Sequence, residues 1–291
     1  MFKYTFWISS FVLLFSACNQ QGASSGTIEF STDAGGTSAN SEAAEVIYAL
    51  QLPTDIARIF EETGTNFNAE LPIPLDRVQL HENPDQLALL LGILGVDLSY
   101  CKLFERGIES AETYKYIELL ADKLALPVEI FKKSSENLEV FVSHPDSLTI
   151  LINQVYSEVE SYFDDNNQES LSSLSLLGGW LEAMYIGVRI YLDHSMIEMG
   201  DRILQQKYAL NTLTGLLANH QESLVIRRYM HSLNKLKLLY EGVEITYSRE
   251  GFKMDKQAQS FHASISEISY EPEILEEICQ LILQTRSEII Q

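Results

Sequence analysis

Pro84-Asp85-Gln86-Leu87-Ala88-Leu89-Leu90-Leu91-Gly92-Ile93-Leu94-Gly95-Val96-Asp97-Leu98-Ser99-Tyr100-Cys101 is the stretch whose reading decides how this chain folds. At helical spacing its apolar side chains cover nearly every face, so it reads as a helix buried all round, not one with a wet side. Pro84 suits a first helical position, and the helix is expected to run to about Arg106, ahead of Gly107. Ala88, Gly92, Gly95 and Ser99 recur at steps of four, three and four and form a stripe of small side chains. Each glycine inside a helix costs about 1 kcal/mol against alanine. The stripe is therefore expected to admit a second helix backbone. Asp97 lies off the stripe, among Ile93, Leu94, Tyr100 and Cys101.

A second stretch, from Gln168 to about Asp193, repeats this logic. Leu174, Leu176, Leu177, Trp180, Leu181, Met184, Ile186 and Val188 surround Gly178-Gly179, and Glu182 sits among them with Tyr185 three residues on. Each of the two helices thus carries an acid followed three residues later by a tyrosine: Asp97 with Tyr100, Glu182 with Tyr185. A carboxylate buried without partners costs several kcal/mol or shifts its pKa upward. Both acids accordingly need a cation, a hydroxyl, backbone donors or a ligand. Arg189, Arg202 and Lys207 are the candidate cations, and Gln206 or Lys207 interrupts the apolar face of Ile203, Leu210, Leu213 and Leu217. A polar pocket at the bundle centre would be built from Asp97, Tyr100, Trp180, Glu182, Tyr185 and Lys207. Such a pocket suits a small cationic or hydroxylated ligand. The competing expectation is a satisfied network that fixes helix register.

Outward from these two helices the period stays near 3.6. Helices are expected from Thr54 to about Gly64, from a cap at Ser110 to a stop ahead of Pro127, over 128–141, from Pro145 to about Asp164, over 196–219, over 222–240 and from Pro272 to the end. Asn66 to Asn83, with Pro72 and Pro74, reads as irregular, and strand-like alternation is confined to Val243–Tyr247. The fold class is all-α: an antiparallel bundle of about eight or nine helices with short connections.

Composition excludes several classes of function. The 291 residues carry 41 acidic and 20 basic side chains, a formal net charge of −21, and 46% are hydrophobic. That is too apolar for a disordered acidic polymer and too acidic for nucleic acid, whose phosphates need a basic footprint. There is no nucleophile elbow, phosphate loop or zinc-protease helix. Asp193, His194, Glu198 and Asp201 straddle a helix boundary without a second histidine and read as a solvated turn rather than a metal site. No cofactor is expected. Cys101 and Cys279 lie on apolar helices and read as buried free thiols, with a disulfide as the alternative.

The N-terminus places the chain. Lys3 precedes an apolar run from Phe6 to Phe15, and Ser16-Ala17-Cys18 closes it. This is the order of a signal peptide, too short to span a bilayer comfortably. The small-small-Cys ending resembles a bacterial lipobox, which implies removal of residues 1–17 and acylation of Cys18. Two or more acyl chains anchor stably. Asn19 in place of aspartate implies an outer-membrane anchor, and the lack of acids after Cys18 implies the periplasmic face. Residues 18–44, rich in Gly, Ser and Thr, read as a flexible linker, and 45–291 as a single helical domain.

Gly95-Val96-Asp97-Leu98-Ser99-Tyr100, Asp146-Ser147-Leu148, Gly178-Gly179-Trp180-Leu181-Glu182-Ala183-Met184-Tyr185 and Gln206-Lys207 together resemble a family of uncharacterised all-helical lipoproteins of the Bacteroidota. The resemblance implies a lipidated all-α body and no particular reaction. The expectation from sequence is a lipid-anchored periplasmic protein that binds a small ligand or an envelope protein. One alternative is an enzyme using Asp97 and Glu182 as an acid–base pair; another is a structural envelope component with no ligand.

Overall fold

The computed structural model describes residues 27–31, 66–78, 82–127, 129–131, 145–247, 253–255 and 260–290. Among the described residues there are eight α-helices: α1 (Pro84–Leu103), α2 (Gly107–Lys123), α3 (Pro145–Asp165), α4 (Glu169–His194), α5 (Ile197–Gln205), α6 (Lys207–Ala218), α7 (Leu224–Glu241) and α8 (Pro272–Ile289). The fold is a helical bundle, as the periodicity requires. The helix expected from Thr54 to Gly64 lies outside the described residues. Of the one expected over 128–141, residues 129–131 are described and are helical.

Local signals set the helix ends. The Asn83 side chain accepts a hydrogen bond from the Asp85 amide at 2.9 Å, with Pro84 opening α1. Ser223 caps α7 through Ile226 N–H at 3.1 Å. α2 starts at Gly107 rather than at the expected Ser110, because Glu105 takes a positive φ of 54° and Arg106 bonds forward to Glu109. The single helix expected over 196–219 is two, α5 and α6, divided at Gln206.

The centre is α1 against α4, and here the glycines are decisive. A Cβ on Gly92 would sit 1.9 Å from the Ser175 carbonyl oxygen and 2.6 Å from Gly179 N; one on Gly178 would sit 2.0 Å from the Leu89 carbonyl oxygen. The two backbones therefore touch at Gly92, one residue of the small-residue stripe, and at Gly178. Leu89 meets Gly178, Gly92 meets Ser175 and Gly179, and Asp97 meets Glu182, so α1 and α4 run in the same direction. They are not consecutive in the chain, so short antiparallel connections elsewhere do not forbid this. Both are long and apolar enough to cross a membrane, yet 72% and 94% of their most apolar windows are buried inside the protein. α2 packs on α1; α3, α5, α6 and α8 pack on α4; α7 bridges α6 and α8.

A small antiparallel sheet stands beside the helices. β4 (Ser260–Ser269) pairs with β2 (Glu244–Tyr247), with β3 (Lys253–Asp255) and with β1 (Thr27–Ser31). The register runs Glu244↔Ser269, Lys253↔His262 and Thr27↔Ser264, with an irregularity between Thr246 and Tyr247. Two expectations are corrected. Strand structure is not confined to Val243–Tyr247. Within the stretch read as a structureless linker, Thr27–Ser31 form a strand, because β4 offers them a row of unpaired backbone groups.

Candidate functional site

Three charged side chains converge where α1, α4 and α8 meet. Asp97 is 1% exposed, Glu182 0% and Arg286 5%. Arg286 clasps Glu182 in a two-pronged pair, Nε to Oε2 and Nη2 to Oε1, both at 2.9 Å. Its guanidinium also lies over the Tyr185 ring, 4.2 Å from the centroid, a contact that strengthens when desolvated. Asp97 Oδ2 accepts the Ile73 amide at 2.9 Å. Asp97 Oδ1 receives no donor, and the Asp97 carboxyl stands within hydrogen-bonding reach of Glu182.

Two carboxylates can bond to each other only if one holds a proton. Burial, then the Glu182 charge, push Asp97 well above the usual carboxylate range, against the Ile73 amide and Arg286. Burial also raises Glu182, but Arg286 opposes it strongly through charge and hydrogen bonds. Asp97 is thus the partner held neutral, and Glu182, gripped by Arg286, is the ion. Burial acts to lower Arg286, but Glu182 and Asp97 outweigh it and hold the guanidinium above its ordinary value. With one proton on the acid pair, the cluster carries no net charge, which a site closed to water requires.

The sequence placed six residues in one pocket; the structure divides them. Asp97, Glu182 and Tyr185 belong to the charged cluster. Tyr100 is one turn from Asp97 and buried, but its partners lie in residues 66–78: its hydroxyl accepts the Asn68 amide at 3.0 Å, and its ring stacks on Phe67 at 5.3 Å between centroids. Burial pushes its hydroxyl up to about 12. Trp180 is fully buried and donates Nε1–H to Gln206 Oε1 at 3.3 Å. Lys207 donates Nζ–H to the Val243 carbonyl at 2.6 Å, just past the C-terminus of α7, where a cation complements the helix dipole. Trp180 and Lys207 thus serve the junction of α5, α6 and α7. Cys18, the expected lipidation site, lies outside the described residues.

None of the cations named from sequence meets the acids. Arg189 donates to the Tyr185 hydroxyl at 3.3 Å and approaches Asp193 at 3.8 Å, and Arg202 donates to Gln205 at 3.4 Å. The partner is Arg286, 104 residues beyond Glu182. A signal for it exists: Leu275, Ile278, Cys279 and Ile282 trace the buried stripe of α8, and Arg286 falls on its next turn.

A strap formed by residues 66–78 closes the Asp97 end. Leu71 and Ile73 are buried against the bundle, and Leu75–Arg77 make one 3-10 turn. Pro72 and Pro74 have no N–H. The amide of Ile73 is therefore the one donor across these three residues, and it goes to Asp97. Phe67 packs on Tyr100 and Phe104, with the Arg106 guanidinium 4.8 Å from its ring centre.

Cys101 and Cys279 are both buried free thiols, each pushed up to about 12 by burial. Among the described residues no three His, Cys, Asp or Glu side chains gather as a metal site. No protein-family model, no curated protein and no solved structure matches this chain.

Proposed function

We propose that this chain is a lipid-anchored, non-enzymatic helical protein of the bacterial envelope, in which Asp97, Glu182 and Arg286 are an internal clasp and not a ligand pocket. One observation carries the second half: Glu182 is 0% exposed and both its oxygens accept from Arg286. An acid–base enzyme needs its carboxyls within reach of a substrate, and neither acid reaches solvent. A small-ligand pocket on all six sequence-chosen residues is disfavoured because two of them serve another junction. The reading closest to the geometry is therefore a structural envelope component.

The anchor half rests on the order of Lys3, the apolar run and Ser16-Ala17-Cys18, and on the resemblance to Bacteroidota lipoproteins. An outer-membrane, periplasm-facing position follows from Asn19 by analogy with lipoprotein sorting. β1 adds a consequence. Residues 19–26 alone separate Cys18 from Thr27, a reach of about 31 Å when fully extended. An acylated Cys18 would hold the β1–β4 edge close to the lipid headgroups.

Two measurements test this reading. Intact mass and N-terminal peptide mapping of the membrane-extracted protein should give a mature chain beginning at an acylated Cys18. A chain that begins elsewhere overturns the anchor. Glu182→Gln should lower the melting temperature without releasing any co-purified molecule. A small molecule that leaves in Glu182→Gln while melting is unchanged would restore the ligand pocket.

A further inference from the structure

We propose that the strap over residues 66–78 is a latch set by a proton: the protonated Asp97–Glu182 pair keeps it closed, and loss of that proton lifts it off α1. The charged groups facing Asp97 are Glu182 from α4 and Arg286 from α8, with Tyr100 and Cys101 on α1 close enough to feel its charge. The strap's own acids, Glu70 and Asp76, are exposed. It offers Asp97 the backbone amide of Ile73.

Oδ2 of Asp97 takes the Ile73 amide and Glu182 holds Arg286, while Oδ1 of Asp97 is buried with no other donor. One proton shared by the acid pair leaves the cluster without net charge and lets the two carboxyls stand together. When the proton leaves, two carboxylates face each other with one guanidinium, held on Glu182, in a site closed to water. The Ile73 amide strengthens toward an ionised Asp97, but a single N–H does not replace hydration of Oδ1. Water must enter or the site must deform.

Water enters where the cover is weakest. α1, α4 and α8 are 20, 26 and 18 residues long and packed through the core. The strap has no regular structure beyond one 3-10 turn and is held by Leu71 and Ile73, by the partly buried Phe67, Leu75 and Val78, by the Asn68–Tyr100 bond and by the Ile73–Asp97 bond itself. Segments with few such attachments open first. Ionisation therefore lifts the strap and bares Asp97 and Tyr100 while the helices stay folded.

Hydrogen exchange by mass spectrometry on the detergent-solubilised full chain tests this. Between about pH 5 and about pH 9, the protection of residues 66–78, corrected for intrinsic exchange rates, should fall about tenfold or more while α4 keeps its protection. Asp97→Asn keeps an acceptor for Ile73 N–H and a donor for Glu182 and cannot ionise; its strap should stay protected across the range. The same pH dependence in Asp97→Asn and wild type overturns the latch. So does joint loss of protection in the strap and α4, which would mean global unfolding. Should Asp97→Asn fail to fold, Glu182→Gln removes the charge that raises Asp97 and leaves Arg286 to balance an ionised Asp97, so its strap should stay closed across the range. Release of the strap in that variant also overturns the proposal.

Discussion

At Gly92 and Gly178 the two central helices meet with nothing between their backbones, whereas at Asp97 and Glu182, five and four residues further on, two carboxyls stand between them. The first contact is dry and holds by shape. A Cβ at Gly92 would overlap the Ser175 carbonyl, and no rotamer change moves a backbone oxygen. The second holds by charge and depends on a third helix, since Arg286 of α8 supplies the cation. Less than 8 Å of helix rise separates them at about 1.5 Å per residue. The shape contact fixes how close α1 and α4 come; the charged one links that pair to α8 and, through Ile73, to the strap. The two contacts should therefore respond differently to pH, volume and charge.

The largest separation is expected at Arg286. Arg286→Met leaves Glu182 ionised and buried beside Asp97, and should cost about 3–5 kcal/mol at neutral pH. The loss should shrink as the solution is acidified and Glu182 is protonated. Urea unfolding at pH 7 and at a pH below the carboxylate range measures both. An equal loss at the two pH values would mean that Arg286 acts through packing. Replacing all three members with apolar residues of similar volume should recover most of the stability, because a sealed network of this kind rarely outperforms a packed apolar one.

Gly92→Ala comes next, at about 3 kcal/mol, the upper part of the usual range for overpacking, because the clash is with backbone. Its cost should not change with pH. Gly215→Ala is the control: nothing lies within 4 Å of a Cβ there, and replacing glycine inside α6 should stabilise by about 0.5–1 kcal/mol. A Gly92→Ala penalty that varied with pH would tie the dry contact to the charged one.

How much of this could be read from sequence depends on where each signal sits. The stripe Ala88, Gly92, Gly95, Ser99 announces a close backbone because glycine inside a helix has a cost that something must offset. The acids announce themselves because charges on all-apolar helices need partners. Asn83-Pro84 marks the start of α1 by chemistry that acts within three residues. Arg286 was missed because pairing across 104 residues leaves no local trace, though its place on the stripe of α8 was there to see. The Ile73 amide is a backbone group, and backbone groups carry no side-chain signature; only the flanking prolines single it out. Trp180 and Lys207 share faces with residues near the acids, yet helix rotation alone does not say which neighbour each face meets. In β4, Phe261, Ala263 and Ile265 alternate with Ser260, His262 and Ser264, a period-two pattern weakened by small residues and by the register irregularity opposite.

The smallest effect tests whether the central pair governs the pH response. Asp97 has its pKa raised in the folded state, so between the unfolded carboxylate range and that raised value the folded chain holds a proton that the unfolded chain has lost. Its contribution to stability is therefore largest in acid and is lost as pH rises. Glu160 on α3 has the same sign for another reason: partial burial, then the neighbouring Asp164, push it from 4.5 to about 7. Its contribution is full below about 4.5 and is lost by about 7. Glu160→Gln should leave stability unchanged at low pH and raise it above pH 7 by about 1 kcal/mol or less, because solvent screens a group this exposed. Denaturant midpoints for wild type, Glu160→Gln, Asp97→Asn and the double variant separate the sources. Additive changes are expected, since independent sites add. If Glu160→Gln alone flattened the whole pH slope, the carboxyl pair between α1 and α4 would be titrating equally in the folded and unfolded chains, and the charged contact would be as indifferent to pH as the glycine one.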